Sequence, residues 1–204
     1  MKLIKIFFIL SLITLTGCGG AEYTYNFEQG RSLEFINGKW ILNKPYTNYD
    51  DEKIYRVVKR EFEEILGDSL YEISELRQNN RLVELQIPLY PSPKDLKDLR
   101  INSTCDYLIN IHAQIVKDEM DFIVSSRNSG TTKRTNEARS EIIIYDLKNL
   151  QIISKSSVTG IVEVTKTKDD DGLDFASSGG TIILNGLARL IRKYKKNMIK
   201  IKIQ

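Results

Sequence analysis

Two cysteines, one histidine and a short run of aspartates are the residues of this 204-residue chain with the most obvious chemistry. Cys105 and His112 form the one pair that could act as a thiol–imidazole dyad. They stand seven apart in "CDYLINIHAQIVKD", which reads as a strand, and an odd offset along a strand sends two side chains to opposite faces. No direct hydrogen bond is expected, and Cys105 reads as a buried or strand-edge residue. His112 shares its face with Asn110 and Gln114, a polar face that could hold a small ligand. A Ser-His-Asp triad could use no other histidine, and a single histidine excludes a multi-His zinc site. No CxxC, HExxH, P-loop or GxGxxG is present. Asp169-Asp170-Asp171-Gly172 with Asp174 could offer oxygens to calcium. An EF-hand loop ends on a bidentate Glu, however, and the corresponding position here is Gly180. No catalytic residue, metal or cofactor is therefore expected, and the chain is read as non-enzymatic. A hydrolase is the weakest of the functional classes.

Cys18 stands apart. It closes "MKLIKIFFILSLITLTGC", in which Lys2 and Lys5 precede an apolar run from Leu3 to Leu15. A basic start, a short apolar stretch and small residues form the signal-peptide pattern. The run is shorter than the ~20 residues that a spanning helix needs. Leu15-Thr16-Gly17-Cys18 resembles the bacterial lipobox, in which the thiol is given a diacylglycerol and the peptidase cuts before the Cys. On this reading residues 1–17 are a lipoprotein signal peptide and Cys18 is the lipidated first residue of the mature chain. Two or three acyl chains anchor stably where one is marginal, since each buried CH₂ contributes ~0.8 kcal/mol. Gly19, rather than Asp, follows the Cys. By resemblance to enterobacterial lipoprotein sorting, that favours the outer membrane facing the periplasm, with the inner membrane or cell surface as alternatives.

Removing residues 1–17 leaves 187 residues, and the loss of Lys2 and Lys5 lowers the formal charge from +3 to +1. A nearly neutral, exported chain is not a dedicated nucleic-acid binder. Only Cys105 would keep a thiol, so no internal disulfide is expected. The remaining length suits one domain with a proper core.

The elements that must position these residues follow from periodicity. Residues 18–30 are small and polar and read as a tether, leaving 31–204 as a single domain. Trp40, Ile41 and Leu42 read as the first core strand. Ile54, Val57, Val58, Phe62, Ile65 and Leu66 fall on one helical stripe, with an Asp50 or Asp51 cap and Gly67 at the C-terminus. Val83, Leu85 and Ile87 alternate as in a half-buried strand. Ser92-Pro93-Lys94-Asp95 opens a short helix as N-cap, N1 and N3. Tyr107 to Ile115 is a strand, "SSRNSGTTKRTNEARS" a hairpin-tip loop, and "EIIIYDLKNLQIISKSSVTGIVEVTK" two more strands turning at Lys148-Asn149. A last helix carries Ile183, Leu187, Leu190, Ile191 and Tyr194, capped by Ser177 or Ser178, with Gly186 marking close packing. "MIKIKIQ" could be a final strand. Arg189, Arg192, Lys193, Lys195, Lys196, Lys200 and Lys202 lie in this region, and no acidic residue follows Asp174. Cations suit a helix C-terminus. Arg189, Arg192, Lys193, Lys195 and Lys196 are also candidate contacts for anionic headgroups or an acidic partner. "SSGGT" at the helix start could cradle an anion.

The fold class expected is an α/β (α+β) sandwich: a mixed sheet with a late antiparallel meander and two long helices packed on it. The phrases "KWILNKPYTN", "CDYLINIHAQI", "EIIIYDLKNLQII" and "GGTIILNGLARLIRKY" resemble, in order and apolar pattern, a group of bacterial envelope lipoproteins. Their domain is akin to the N-terminal domain of TolB, and the group includes the curli secretion lipoprotein, PelC and the penicillin-binding-protein activator LpoB. The resemblance covers about residues 38–196. Asn110 stands where the group often has Gly, and Lys148-Asn149 where Thr-Gly is common. It implies an accessory or assembly component working through protein contacts, with no active site to carry over. The partners expected are membrane lipid through Cys18 and an envelope protein, with room for a homo-oligomer. The alternative is a small-ligand or cell-wall-binding lipoprotein.

Overall fold

The computed structural model describes residues 20–30, 38–78, 83–119, 131–167 and 176–203, with side chains at 131, 132, 166, 167 and 198–203 not described. The strands are β1 (Glu22–Gln29), β2 (Trp40–Leu42), β3 (Tyr46–Thr47), β4 (Leu70–Glu72), β5 (Tyr107–Asp118), β6 (Thr131–Asp146) and β7 (Gln151–Thr167). The helices are α1 (Asp51–Leu66), α2 (Ile73–Gln78), α3 (Pro93–Ser103) and α4 (Gly179–Ile203). The strands form one mixed sheet in the order β1-β7-β6-β5-β2-β4, with β3 pairing β5 beyond β2. Pairing is parallel among β2, β3, β4 and β5 and antiparallel along β5-β6-β7-β1. This is the expected α+β sandwich with its late meander.

Local chemistry sets the helix ends. Asp50 accepts the Lys53 N–H at 2.9 Å and caps α1. In α3, Ser92 and Asp95 complete a reciprocal capping box, with Pro93 at the first position. Gly67, at φ 53°, closes α1 by donating its N–H to the Glu63 carbonyl. That conformation disfavours a residue with a Cβ.

Two apolar layers flank the sheet. On one face, Ile54, Val58, Phe62 and Leu66 of α1 and Ile183, Leu187, Leu190, Ile191 and Tyr194 of α4 meet Ile109, Ile111, Ile142, Ile144 and Val158. Both helices show the expected stripes, except that Val57 of α1 stays outside the core cluster and Ile65 is only partly buried. Gly186 does lie close to the sheet, where a Cβ would sit 3.3 Å from Val158 Cγ1. On the other face, α2, α3 and the irregular segment 83–91 cover Ile41, Leu108, Ile143 and Tyr145. Trp40, fully buried, stacks on Tyr107 with ring centroids 4.2 Å apart.

Four expectations are corrected. Residues 22–29 are not tether but the edge strand β1, joined to β7; Tyr23, Tyr25 and Phe27 pack toward the helix layer, while the residues between them are exposed. The segment Val83–Ile87 is not a strand: Val83 and Ile87 are buried, Leu85 is 64% exposed, and the backbone is held by side chains instead of a neighbouring strand. The hairpin-tip loop is largely β6, which is already strand from Thr131. "MIKIKIQ" continues α4 through Ile203, since neither Gly nor Pro interrupts the helix after Gly186.

Candidate functional site

The cationic end of α4 is positioned by two neighbours. α1 and α4 run side by side in the same direction, so that successive turns face one another. Glu61, with its side chain only 1% exposed, receives a bidentate pair from Arg192: Nε donates to Oε2 at 2.8 Å and Nη2 to Oε1 at 2.7 Å. Arg60 adds a third donor at 3.0 Å. These hydrogen bonds hold the Glu61 carboxyl below the usual glutamate range, Arg192 contributing most, and the reciprocal interaction raises Arg192. One turn on, Lys195 donates to Glu64 at 2.8 Å. Arg192 and Lys195 therefore serve the α1–α4 seam.

Arg189 and Lys193 face the other way. Arg189 lies over the Tyr23 ring at 4.6 Å from its centroid, and Lys193 over Tyr25 at 4.1 Å, distances within cation–π range. Next along β1, Phe27 meets the Tyr194 ring edge-on at 5.7 Å. Burial raises the Tyr23 hydroxyl pKa, with the Arg189 charge opposing. Lys196 is exposed on the same helical stripe as Arg189 and Lys193, at spacings of four and three. The five cations grouped by the sequence thus divide into a seam pair and a stripe beside β1. Sequence reasoning did not foresee that division, because it depends on β1 being a strand.

The start of α4 does not offer an anion cradle. Ser178 Oγ accepts the Thr181 N–H at 3.3 Å, and the Gly179 N–H donates to Asp118 Oδ1 at 3.2 Å. At Gly180 a Cβ would fall 2.3 Å from Tyr49 Cζ, so the chain's own ring fills the space.

The polar face of β5 holds a clamp. Asn110 is fully buried; its Nδ2 donates to the Pro88 and Leu89 carbonyls at 2.9 and 2.8 Å, and its Oδ1 accepts from Asn43 Nδ2 at 2.9 Å. Asn43 also donates to the Ile87 carbonyl at 2.6 Å and accepts the Ile87 and Lys44 N–H groups. Tyr46 and Tyr145 hydroxyls donate to Ile87 and Leu89 carbonyls. Asn110 is thereby committed to pinning segment 87–89 on the sheet. His112 is half-buried between Tyr46 of β3 and Glu141 of β6, and Gln114 is exposed. Cys105 is buried with Leu96, Leu99 and Leu108, its Sγ 3.6 Å from the Ser103 carbonyl. It precedes β5 and belongs to the core. The structure does not bring Cys105 and His112 together as a dyad.

A groove of about 740 Å³ opens between α1 and α2, lined by the apolar Leu42, Pro45, Tyr55, Ile73 and Leu85 and by charges of both signs, Lys44, Arg56 and Arg77 with Asp51, Glu52 and Glu72. Sequence reasoning missed it because its walls come from four separate segments. Cys18 and the aspartates at 169–171 and 174 lie outside the described residues. Among the described residues no group of three His, Cys, Asp or Glu side chains is placed to hold a metal, and no helix is long and apolar enough to cross a membrane.

No family model matches the chain, and no curated protein matches it. Solved structures align with much of the chain at low identity. A PelC point-variant dodecamer from Paraburkholderia phytofirmans is 9% identical, aligned over 85% of this chain and 98% of that one, with a TM-score of 0.47. The lipoprotein GNA1162 from Neisseria meningitidis is 9% identical over 80% of this chain and 99% of that one, with a TM-score of 0.36.

Proposed function

We propose that the chain is an envelope lipoprotein, held by lipid on Cys18 at the periplasmic face of the outer membrane, that works without catalysis as an accessory or assembly component binding another envelope protein. The observation that carries the reading is the box Leu15-Thr16-Gly17-Cys18 behind a basic and then apolar leader. β1 begins at Glu22, so the folded domain starts almost at the anchor. The side chains best suited to nucleophilic chemistry, Cys105 and His112, serve the core and the sheet instead. In-cell crosslinking of the full chain followed by mass spectrometry tests the reading. A single envelope protein recovered with the wild type, and lost when Cys18→Ala releases the chain, is the expected result. A monomer with no crosslinked partner contradicts it.

The groove between α1 and α2 favours a second reading, a small-ligand or cell-wall-binding lipoprotein. Its volume of about 740 Å³ lies within the range of small-molecule sites. The ligand would then sit against Tyr55, Ile73 and Leu85 and not on the His112 face. Muropeptide binding abolished by Tyr55→Ala would support it.

A further inference from the structure

Lipid on Cys18 fixes where the domain can meet the bilayer. Three residues, Gly19, Gly20 and Ala21, separate Cys18 from the first residue of β1, which makes four Cα–Cα steps. Fully extended, they span at most about 14 Å. The start of the edge strand is therefore held close to the headgroup layer, and the domain can only pivot about that point. β1 ends the sheet; among the described residues no strand pairs with its outer edge.

The surface beside that edge has a definite character. α4 runs along β1 in the same direction: Tyr23 approaches Ile182 and Arg189, Tyr25 lies under Lys193, and Phe27 meets Tyr194. Arg189, Lys193 and Lys196 share one helical stripe, and in the sequence Lys200 continues its spacing. No acidic residue occurs after Asp174. On β1, Glu28 is ion-paired with Lys155 at 2.9 Å, and Glu22 is the other carboxylate. Half-buried tyrosines capped by cations make a flank that is basic outside and aromatic beneath, the composition that settles at a headgroup layer.

We infer that the β1–α4 flank, through Arg189, Lys193 and Lys196, lies on the anionic headgroups of the membrane that holds Cys18. The inference rests on the lipoprotein reading for its geometry. It assigns the partner of three of the five cations and removes Arg192 and Lys195 from that role, because Glu61 and Glu64 already hold them. With this flank down, α3 and segment 83–91 on the opposite sheet face remain free for a protein partner.

The test uses full-length lipidated chain reconstituted into vesicles of phosphatidylethanolamine, alone or with phosphatidylglycerol as the minority lipid, each containing a headgroup-bound quencher. A fluorophore is placed through Asn185→Cys, exposed on the flank stripe, or through Asp98→Cys, exposed on α3. The flank label should be quenched in the mixed vesicles and released in the neutral ones, with the α3 label bright in both. Combining Arg189→Gln, Lys193→Gln and Lys196→Gln should lower the ratio of flank-down to flank-up chains about 100-fold at low salt, about fivefold for each cation. That variant should still float with the vesicles and melt at a temperature close to the parent's. A bright flank label in mixed vesicles on a chain that still floats overturns the proposal and leaves the stripe to an acidic protein. Equal quenching in neutral vesicles overturns its electrostatic basis. A chain that floats with neither vesicle overturns the anchoring reading itself, and with it the geometry argued here.

Discussion

Asn43 is the residue on which the back face of the sheet depends most. It follows β2 and is 1% exposed, and its amide joins three segments: β2 itself, Asn110 of β5 and the backbone of Ile87. Asn43→Ala removes all four side-chain hydrogen bonds at once. The Ile87 carbonyl keeps the Tyr46 hydroxyl at 2.8 Å, and the Lys44 amide lies nearer solvent. Two groups remain buried and unpaired, the Ile87 N–H and Asn110 Oδ1. Each orphaned buried polar group costs about 1–3 kcal/mol, so the substitution should destabilise the domain by about 2–5 kcal/mol. At about 2–4 °C per kcal/mol for a domain of this size, the melting temperature should fall by about 10 °C. The Asn110 side chain shares one of these bonds, so the combined Asn43→Ala and Asn110→Ala variant should lose clearly less than the sum of the single losses. Urea denaturation followed by tryptophan fluorescence reads both values, since Trp40 lies three residues away in β2. A loss under about 1 kcal/mol for Asn43→Ala, or strict additivity in the double variant, would refute the clamp.

Three further outcomes follow from the same geometry. Glu61 is held below its ordinary value of 4.5 chiefly by Arg192. The stability it contributes is therefore full above about pH 4.5 and lost as pH falls through the lower folded value. Arg192→Ala should destabilise the domain at neutral pH, since it leaves the buried Glu61 carboxylate short of its main donor, and should shrink that acid-dependent loss, read from denaturation midpoints across the acid range. Gly30→Ala should destabilise β1 more than Gly67→Ala destabilises α1, although both have positive φ. A Cβ at Gly30 would lie 2.1 Å from the Ile153 carbonyl oxygen, whereas at Gly67 nothing lies within 4 Å. The expectation is about 3 kcal/mol or more against about 1–2, with hydrogen exchange over residues 22–29 accelerated only by Gly30→Ala. Asp95→Ala should lower the melting temperature by about 3 °C through loss of the α3 capping box.

The parts legible in the sequence were those where local chemistry and burial agree. Asp50, the Ile54–Leu66 stripe and Gly67 specify α1 by themselves, and Ser92-Pro93-Asp95 does the same for the start of α3. Strand β5 declares itself because Ile109, Ile111 and Ala113 alternate into the core. β1 was hidden by its composition: its aromatic residues alternate with Glu22, Thr24, Asn26 and Glu28, and only the contact with α4 makes Tyr23, Tyr25 and Phe27 inward residues. The early half of β6 was hidden because little of its described part is buried; among the described side chains before Ser140, only Asn136 and Ala138 are buried. Segment 83–87 misled because it alternates in the sequence, while its backbone is held by side chains, Arg77 on the Val83 carbonyl and Asn43 on Ile87. No sequence pattern announces that partnership, although an asparagine beside apolar strand residues is its trace. The division of the α4 cations was equally invisible, since it requires knowing that α1 lies on one side and β1 on the other.

The central claim is chemical and concerns the sulfur at position 18. Intact-mass and peptide mass spectrometry of chain purified from its native membrane should find residues 1–17 absent and Cys18 as the first residue, its Sγ carrying diacylglycerol. An unmodified thiol at Cys18, or a chain that begins at Met1, would contradict the account.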